Sequence, residues 1–423
     1  MSQFFSVGDI QMDPKKAGST IYQYLKSVPV PIILLIFARL IFLMVSSIQE
    51  VYGFGDVLHF FNMAQFHGLP FINYWDEHPP FHAFLSKMLF YIVSGRENAY
   101  VNLLYLVFML VDAGSLALFI RLTRRLTSQP VGEALTWFFM VVLIVSPYYW
   151  WYFDGFGAFW LLLSLVSLIE GRDRLCGVAL ALSTLTKLFP ILFLAAIWRA
   201  LPWRRALVIS LITLGLTFSV YGGLFALSPS FTSASVASQV NKGSWETVWA
   251  LVDGNYQTGN FLVEEDHFYP ERAYQLKRNP AVISPWITLV IFAGLGLWTL
   301  FKAKIKTETQ LVSCLGFSLV LLFLWSPGWS PQYILFLIPL ILLSLPVEDS
   351  RLITGILVLI NLLEWPVLLS RGLNWTLLFT APIRTLILVL IAGLWYQQVV
   401  NPEKHPGNVK PEVISEVGGQ VPG

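Results

Sequence analysis

The chain is dominated by long apolar runs separated by short polar stretches. Such runs occur at about 29–48, 100–120, 132–149, 206–227, 284–301, 309–326, 333–347, 352–370 and 381–399. A helix needs about 20 apolar residues to cross a bilayer, so these runs predict membrane-spanning helices. The run from Phe81 to Val93 is shorter and reads as a helix lying on the outer surface. The stretch 155–202 holds three further runs, broken by Glu170 to Arg174 and by Lys187-Leu188-Phe189-Pro190. Proline there removes a backbone donor and ends or kinks a helix, which predicts short tilted helices.

Placing basic residues in the cytoplasm fixes the expected topology. With Phe81–Val93 off the membrane, Lys15, Lys16 and Lys26, Arg121, Arg124 and Arg125, Arg172 and Arg174, Arg199, Arg204 and Arg205, Lys302, Lys304 and Lys306, Arg351, Lys404 and Lys410 all fall on one side. The expectation is an all-α, polytopic transmembrane bundle of about 12 crossings with both termini cytoplasmic and interfacial helices in a large first external loop. Residues 1–28 are expected to form a cytoplasmic segment, 29–399 the transmembrane domain, and 400–423, rich in Pro, Gly, Val and Glu, a disordered cytoplasmic tail. The two large external segments are about 50–99 and 228–283. The first apolar run lacks a following cleavage site and is expected to remain as the first helix.

Composition supports a lipid environment. Of 423 residues, 56% are hydrophobic and 12% charged, too few polar side chains to clothe a soluble domain. A net charge of +2 with no basic block argues against a nucleic-acid partner. Cys176 and Cys314 both lie inside apolar runs, so no disulfide framework is expected. The 16 Trp suit membrane interfaces and also sugar stacking. No pair of broken helices repeats in two halves, no Asp-x-Asp nucleotide-sugar motif occurs, and no Walker-type Gly-Lys-Ser/Thr occurs.

Candidate chemistry gathers in the first external segment. Asp56, just beyond the first helix, could face a cavity and act as a base with a raised pKa, or could simply cap a helix at the surface. In Asp76-Glu77-His78-Pro79-Pro80, the double proline makes a rigid lead into the 81–93 helix, suited to a binding wall; capping by the acids is the plainer alternative. His59, His67, His78 and His82 lack zinc-type spacing, so no metal is expected. Lys187, at a break between short helices, needs an anionic partner, either a lipid-linked phosphate or a nearby carboxylate. Arg39 and Asp112 stand at compatible depth and are expected to pair. Glu364 could line a cavity or bond a neighbouring helix. Asp154 follows Tyr148, Tyr149, Trp150, Trp151 and Tyr152 on an external turn, where a belt or a stacking surface fits equally. Gln332 and Tyr333 could bond phosphate or sugar oxygens, or merely start a helix. Trp245, Trp249 and the run Glu264-Glu265-Asp266 make the second external segment an acceptor lid or, more simply, a solvated loop.

The order of these motifs resembles the C-type membrane glycosyltransferases, which include protein O-mannosyltransferases and lipid-linked aminosugar transferases. The resemblance spans most of 30–350. It rests on Gly68-Leu69-Pro70-Phe71, Trp75-Asp76-Glu77-His78-Pro79-Pro80-Phe81, Tyr152-Phe153-Asp154-Gly155-Phe156-Gly157, Thr186-Lys187-Leu188-Phe189-Pro190 and Trp329-Ser330-Pro331-Gln332-Tyr333. Where many members carry an Asp-Glu pair, Val57 follows Asp56 here. The resemblance implies inverting transfer of a sugar, mannose or a related hexose, from a polyprenyl-phosphate donor to a hydroxyl of a glycan, lipid or protein acceptor on the non-cytoplasmic face. Asp56 is then the base, and Lys187, Asp76, Glu77, His78, Asp154, Gln332 and Tyr333 bind the donor phosphate or substrate, with no cofactor. The competing class is a secondary transporter coupled through Arg39, Asp112, Lys187 and Glu364, whose charges would meet at the midplane.

Overall fold

A computed structural model describes residues 29–259 and 264–401. The expectations for 1–28 and for the tail beyond Asn401 lie outside the described residues. Among those described there are helices and connecting turns and no strand. In chain order the helices are α1 (Val30–Val45), α2 (Ile48–Tyr52), α3 (Val57–Gln65), α4 (Pro80–Ile92), α5 (Glu97–Leu126), α6 (Gln129–Val145), α7 (Tyr148–Trp151), α8 (Asp154–Ile169) and α9 (Asp173–Thr186). They continue with α10 (Phe193–Ala200), α11 (Trp203–Leu227), α12 (Pro229–Val240), α13 (Val248–Val252), α14 (Pro285–Lys302), α15 (Glu308–Trp325), α16 (Ile334–Ser344), α17 (Val347–Leu362) and α18 (Leu377–Val400).

Local chemistry sets several starts. Pro80, Pro229 and Pro285 open α4, α12 and α14, where the missing N–H costs no hydrogen bond. Ser47 with Glu50, and Thr307 with Gln310, form reciprocal capping boxes at α2 and α15. Among the described residues, six helical stretches are long and apolar enough to cross a membrane: Glu97–Leu126, Trp203–Leu227, Pro285–Lys302, Glu308–Trp325, Val347–Arg371 and Asn374–Val400. Shorter apolar helices are Val30–Val45, Gln129–Val145, Asp154–Ile169, Phe189–Ala200 and Pro331–Ser344.

Several charges inside the bundle close into pairs. Arg39 of α1 meets Asp112 of α5 at 2.5 Å, both buried, and its guanidinium lies 4.1 Å from the centre of the Trp150 ring. Glu364, just after α17, pairs with Arg384 of α18, again fully buried. Lys187 pairs with Asp154 at 3.3 Å. The aromatic run Tyr148 to Tyr152 is not a belt: all five side chains are buried, and α7 packs on α5 and α8.

The segments between α1 and α5 and between α11 and α14 interlock, so the second is not a solvated loop. Trp75 N–H donates to the His267 carbonyl at 3.0 Å, and the Trp75 carbonyl lies 2.8 Å from His267 Nδ1. Trp75 Nε1 donates to Asp266 O at 3.0 Å, Asp76 N to Ser235 Oγ at 3.0 Å, and Thr232 Oγ1 to Phe71 O at 3.2 Å. Buried backbone groups of each segment are therefore satisfied by the other.

Candidate functional site

Asp56 is placed by the turn that precedes it. The backbone at Gly55 passes so close to Trp151 that an added Cβ would stand 2.2 Å from the Trp151 Cβ, and Asp56 N donates to the Trp151 carbonyl at 3.1 Å. Asp56 occupies the cap position of α3, yet its carboxylate makes no cap hydrogen bond. It faces instead a cavity of about 670 Å³ whose walls include Asp56, Glu77, His78, Lys187, Gln332 and Tyr333. These side chains come from points between Asp56 and Tyr333 in the sequence, and the fold brings them to one space.

Lys187 reaches this cavity because α9 ends there. Its backbone is extended, its N–H closes the helix on Ser183 O at 2.9 Å, and Pro190 sits in the 3₁₀ turn Phe189–Leu192 that follows. Asp154 holds the ammonium from behind, and the Tyr333 ring centre is 5.6 Å away. Gln332 and Tyr333 belong to a 3₁₀ turn, Pro331–Tyr333, ahead of α16; Gln332 Oε1 is buried with no protein partner.

Asp76 and Asp154 do not line the cavity; each supports a residue that does. Asp76 accepts from His78 N at 2.9 Å, and its Oδ1 is 3.4 Å from His78 Nδ1 and 3.9 Å from His82 Nε2. Capping by the acids is overturned, since α4 has Pro79 at its cap position and no acid in its first turn. Glu77 contacts Lys242 at 3.0 Å and His59 at 3.9 Å.

The electrostatics separate these acids. Burial raises the Asp56 carboxyl above its ordinary value, and His78, His59 and Lys187 pull it only part of the way back. Burial also acts on Asp76, but the hydrogen bond from His78 and the neighbouring His82 outweigh it and hold that carboxyl well below the usual carboxylate range. Glu77 is likewise depressed, Lys242, His78 and His59 overcoming its burial. Burial pushes the His82 imidazole down to about 3, so it is neutral. Asp76, His78 and His82 each offer one ligand atom within 4.8 Å of the others, the one such group among the described residues. The hydrogen bond from His78 N and the two His contacts already engage the Asp76 carboxylate.

A second, mainly apolar groove of about 720 Å³ adjoins the cavity, and His78 and Gln239 line both. Its walls include Phe71, Leu188, Ile191, Phe218, Tyr221 and Val236.

Sequence reasoning missed Lys242, Glu246 and Arg384. Arg384 carried a signal: a lone arginine within the apolar run 381–399 demands an acidic partner, which Glu364 supplies. Lys242 and Glu246 lie among mixed charges, and nothing local marks them. His59, considered only as a metal ligand, is a cavity wall beside Asp56.

Compared with protein-family models, curated proteins and solved structures, the chain matches none of them.

Proposed function

We propose that this protein is a membrane-embedded glycosyltransferase of the C type, moving a hexose from a polyprenyl-phosphate donor to an acceptor hydroxyl. The observation that carries the reading is that the Asp56 carboxylate, free of any cap hydrogen bond, and the Lys187 ammonium line one cavity, and that an apolar groove shares His78 and Gln239 with it. The groove suits a prenyl chain and the cavity suits a sugar phosphate. The chain then crosses the membrane about 12 times with both termini in the cytoplasm and the cavity on the other side.

In this reading Asp56 takes the proton of an acceptor hydroxyl. The freed oxygen attacks the anomeric carbon from the face opposite the phosphate, and the bond from that carbon to the phosphate oxygen breaks. The prenyl phosphate leaves with the electron pair, and Lys187, held by Asp154, balances its added negative charge. The sugar is inverted, and neither a nucleotide nor a metal takes part. A raised carboxyl pKa brings Asp56 closer to the pKa of a useful base.

The transporter reading asks Arg39, Asp112, Lys187 and Glu364 to converge. Their closure into three separate pairs, with Asp112, Asp154 and Arg384, favours the transferase. The test is transfer of radiolabelled mannose from synthetic polyprenyl-phosphate mannose by the purified protein, compared with Asp56→Asn.

A further inference from the structure

Glu246 is held in an unusual way. Its backbone takes φ +53°, in the left-handed region that a side chain disfavours. The neighbours on both sides fix that conformation: Trp245 N donates to Pro327 O at 3.2 Å, Trp329 N donates to Trp245 O at 3.1 Å, and Thr247 Oγ1 donates to Pro327 O at 2.8 Å. Trp245 packs closely on Gly328, where any Cβ would stand 2.2 Å from its ring, and Arg384 donates to the Glu246 carbonyl. Backbone strain maintained by so many contacts is a feature of binding sites more than of scaffolding.

The side chain ends in the cavity, 5% exposed. Oε1 accepts from Gly259 N at 3.1 Å, while Oε2 is buried with no protein partner. Such a buried oxygen is satisfied by water or by a polar group of a ligand. Four indoles line the same cavity, from Trp245, Trp286, Trp325 and Trp365. Tyr152 lines the same cavity as Asp56 and Glu246, and its hydroxyl takes a hydrogen bond from Trp365 Nε1 at 3.1 Å.

The Glu246 carboxyl offers a phosphate no cation, since Arg384 is closed on Glu364, so a phosphate fits the Lys187 end of the cavity instead. A neutral polyhydroxylated ring meets the opposite demands. Its hydroxyls satisfy Oε2, and its C–H faces stack on indoles. Burial and the Glu364 carboxylate raise the Glu246 carboxyl above its ordinary value, which favours the protonated form that donates as well as accepts.

We infer that Glu246 and the surrounding indoles form a carbohydrate subsite, in which Glu246 Oε2 hydrogen-bonds a hydroxyl of a glycan acceptor and directs a second hydroxyl toward Asp56. This rests on the transferase reading for its role, but binding itself does not.

The test is saturation-transfer NMR on the full chain in lipid nanodiscs, without donor. The probes are methyl α-D-mannopyranoside and maltotriose, with acetyl-Ala-Thr-Ala-amide as the peptide alternative. Wild type gives saturation of both saccharides. Glu246→Leu, near in size but unable to hydrogen-bond, weakens saccharide binding at least tenfold, whereas Glu246→Gln, whose amide donates and accepts, keeps most of it. Trp286→Ala, on a surface-exposed indole, weakens binding without depending on the buried acid and serves if the leucine variant does not fold. No saturation of either saccharide by wild type, unchanged binding in both Glu246→Leu and Trp286→Ala, or Glu246-dependent saturation of the peptide alone would each overturn the subsite. Saccharide binding with no sugar transfer from any polyprenyl-phosphate donor would leave the subsite standing and remove the transferase reading.

Discussion

The Nζ of Lys187 lies 3.3 Å from Oδ1 of Asp154, joining the end of α9 to the start of α8 on the wall of the cavity that also holds Asp56. Asp154 keeps the ammonium in place and charged while leaving it open to the cavity.

Asp154→Asn therefore weakens donor binding more than it slows the bound complex. Loss of one charge-assisted contact of roughly 1.5–3 kcal/mol corresponds to about 10- to 100-fold in donor affinity. Equilibrium binding of polyprenyl phosphate to the variant checks this; unchanged affinity would remove Asp154 from a positioning role.

The Arg39–Asp112 pair is structural. Asp112→Ala strands a buried guanidinium and is expected to cost about 3–5 kcal/mol, while the paired change Arg39→Met with Asp112→Leu recovers most of the loss. Thermal unfolding in detergent reads both, and transfer per folded molecule stays at the wild-type level in the double variant.

Much of this architecture was legible in the sequence, and the reasons are physical. Apolar runs report helices directly, so 284–301, 309–326 and 206–227 correspond closely to α14, α15 and α11. An isolated intramembrane charge demands a partner, which made Arg39–Asp112 predictable. Contacts between the two large segments were not legible. Trp75 with His267 and Glu77 with Lys242 depend on how two polar stretches meet, and no periodicity encodes that. The rings from Tyr148 to Tyr152 were ambiguous because aromatic residues suit an interface and a core alike; tight packing, including Trp151 against Gly55, decided for the core.

Lys242 joins the second segment to the first through Glu77 at 3.0 Å. Because the folded state holds Glu77 well below its ordinary value, the contact contributes stability that is complete above pH roughly 4.3 and is lost as pH falls below it. Lys242→Met removes roughly 1 kcal/mol and flattens that acid dependence. Unfolding followed from pH 7 to pH 3 reads the difference, and identical curves would contradict it.

Asp56 titrates in the other direction. Its carboxyl is raised by burial, so the base is ionised only above that raised pKa, and kcat/KM falls as pH drops through it, at a pH above the ordinary carboxylate value of about 4. His78 pulls the Asp56 pKa down, so His78→Asn moves this acidic limb to higher pH. A limb that stays in place would show that another group controls it.

The most direct measurement is mannosyl transfer from radiolabelled polyprenyl-phosphate mannose, comparing wild type with Asp56→Asn at matched donor binding. The account predicts transfer by wild type and a loss of at least roughly 100-fold in the variant, the usual scale of a general base. Full activity in Asp56→Asn, or no transfer by wild type from any polyprenyl-phosphate sugar, would contradict it.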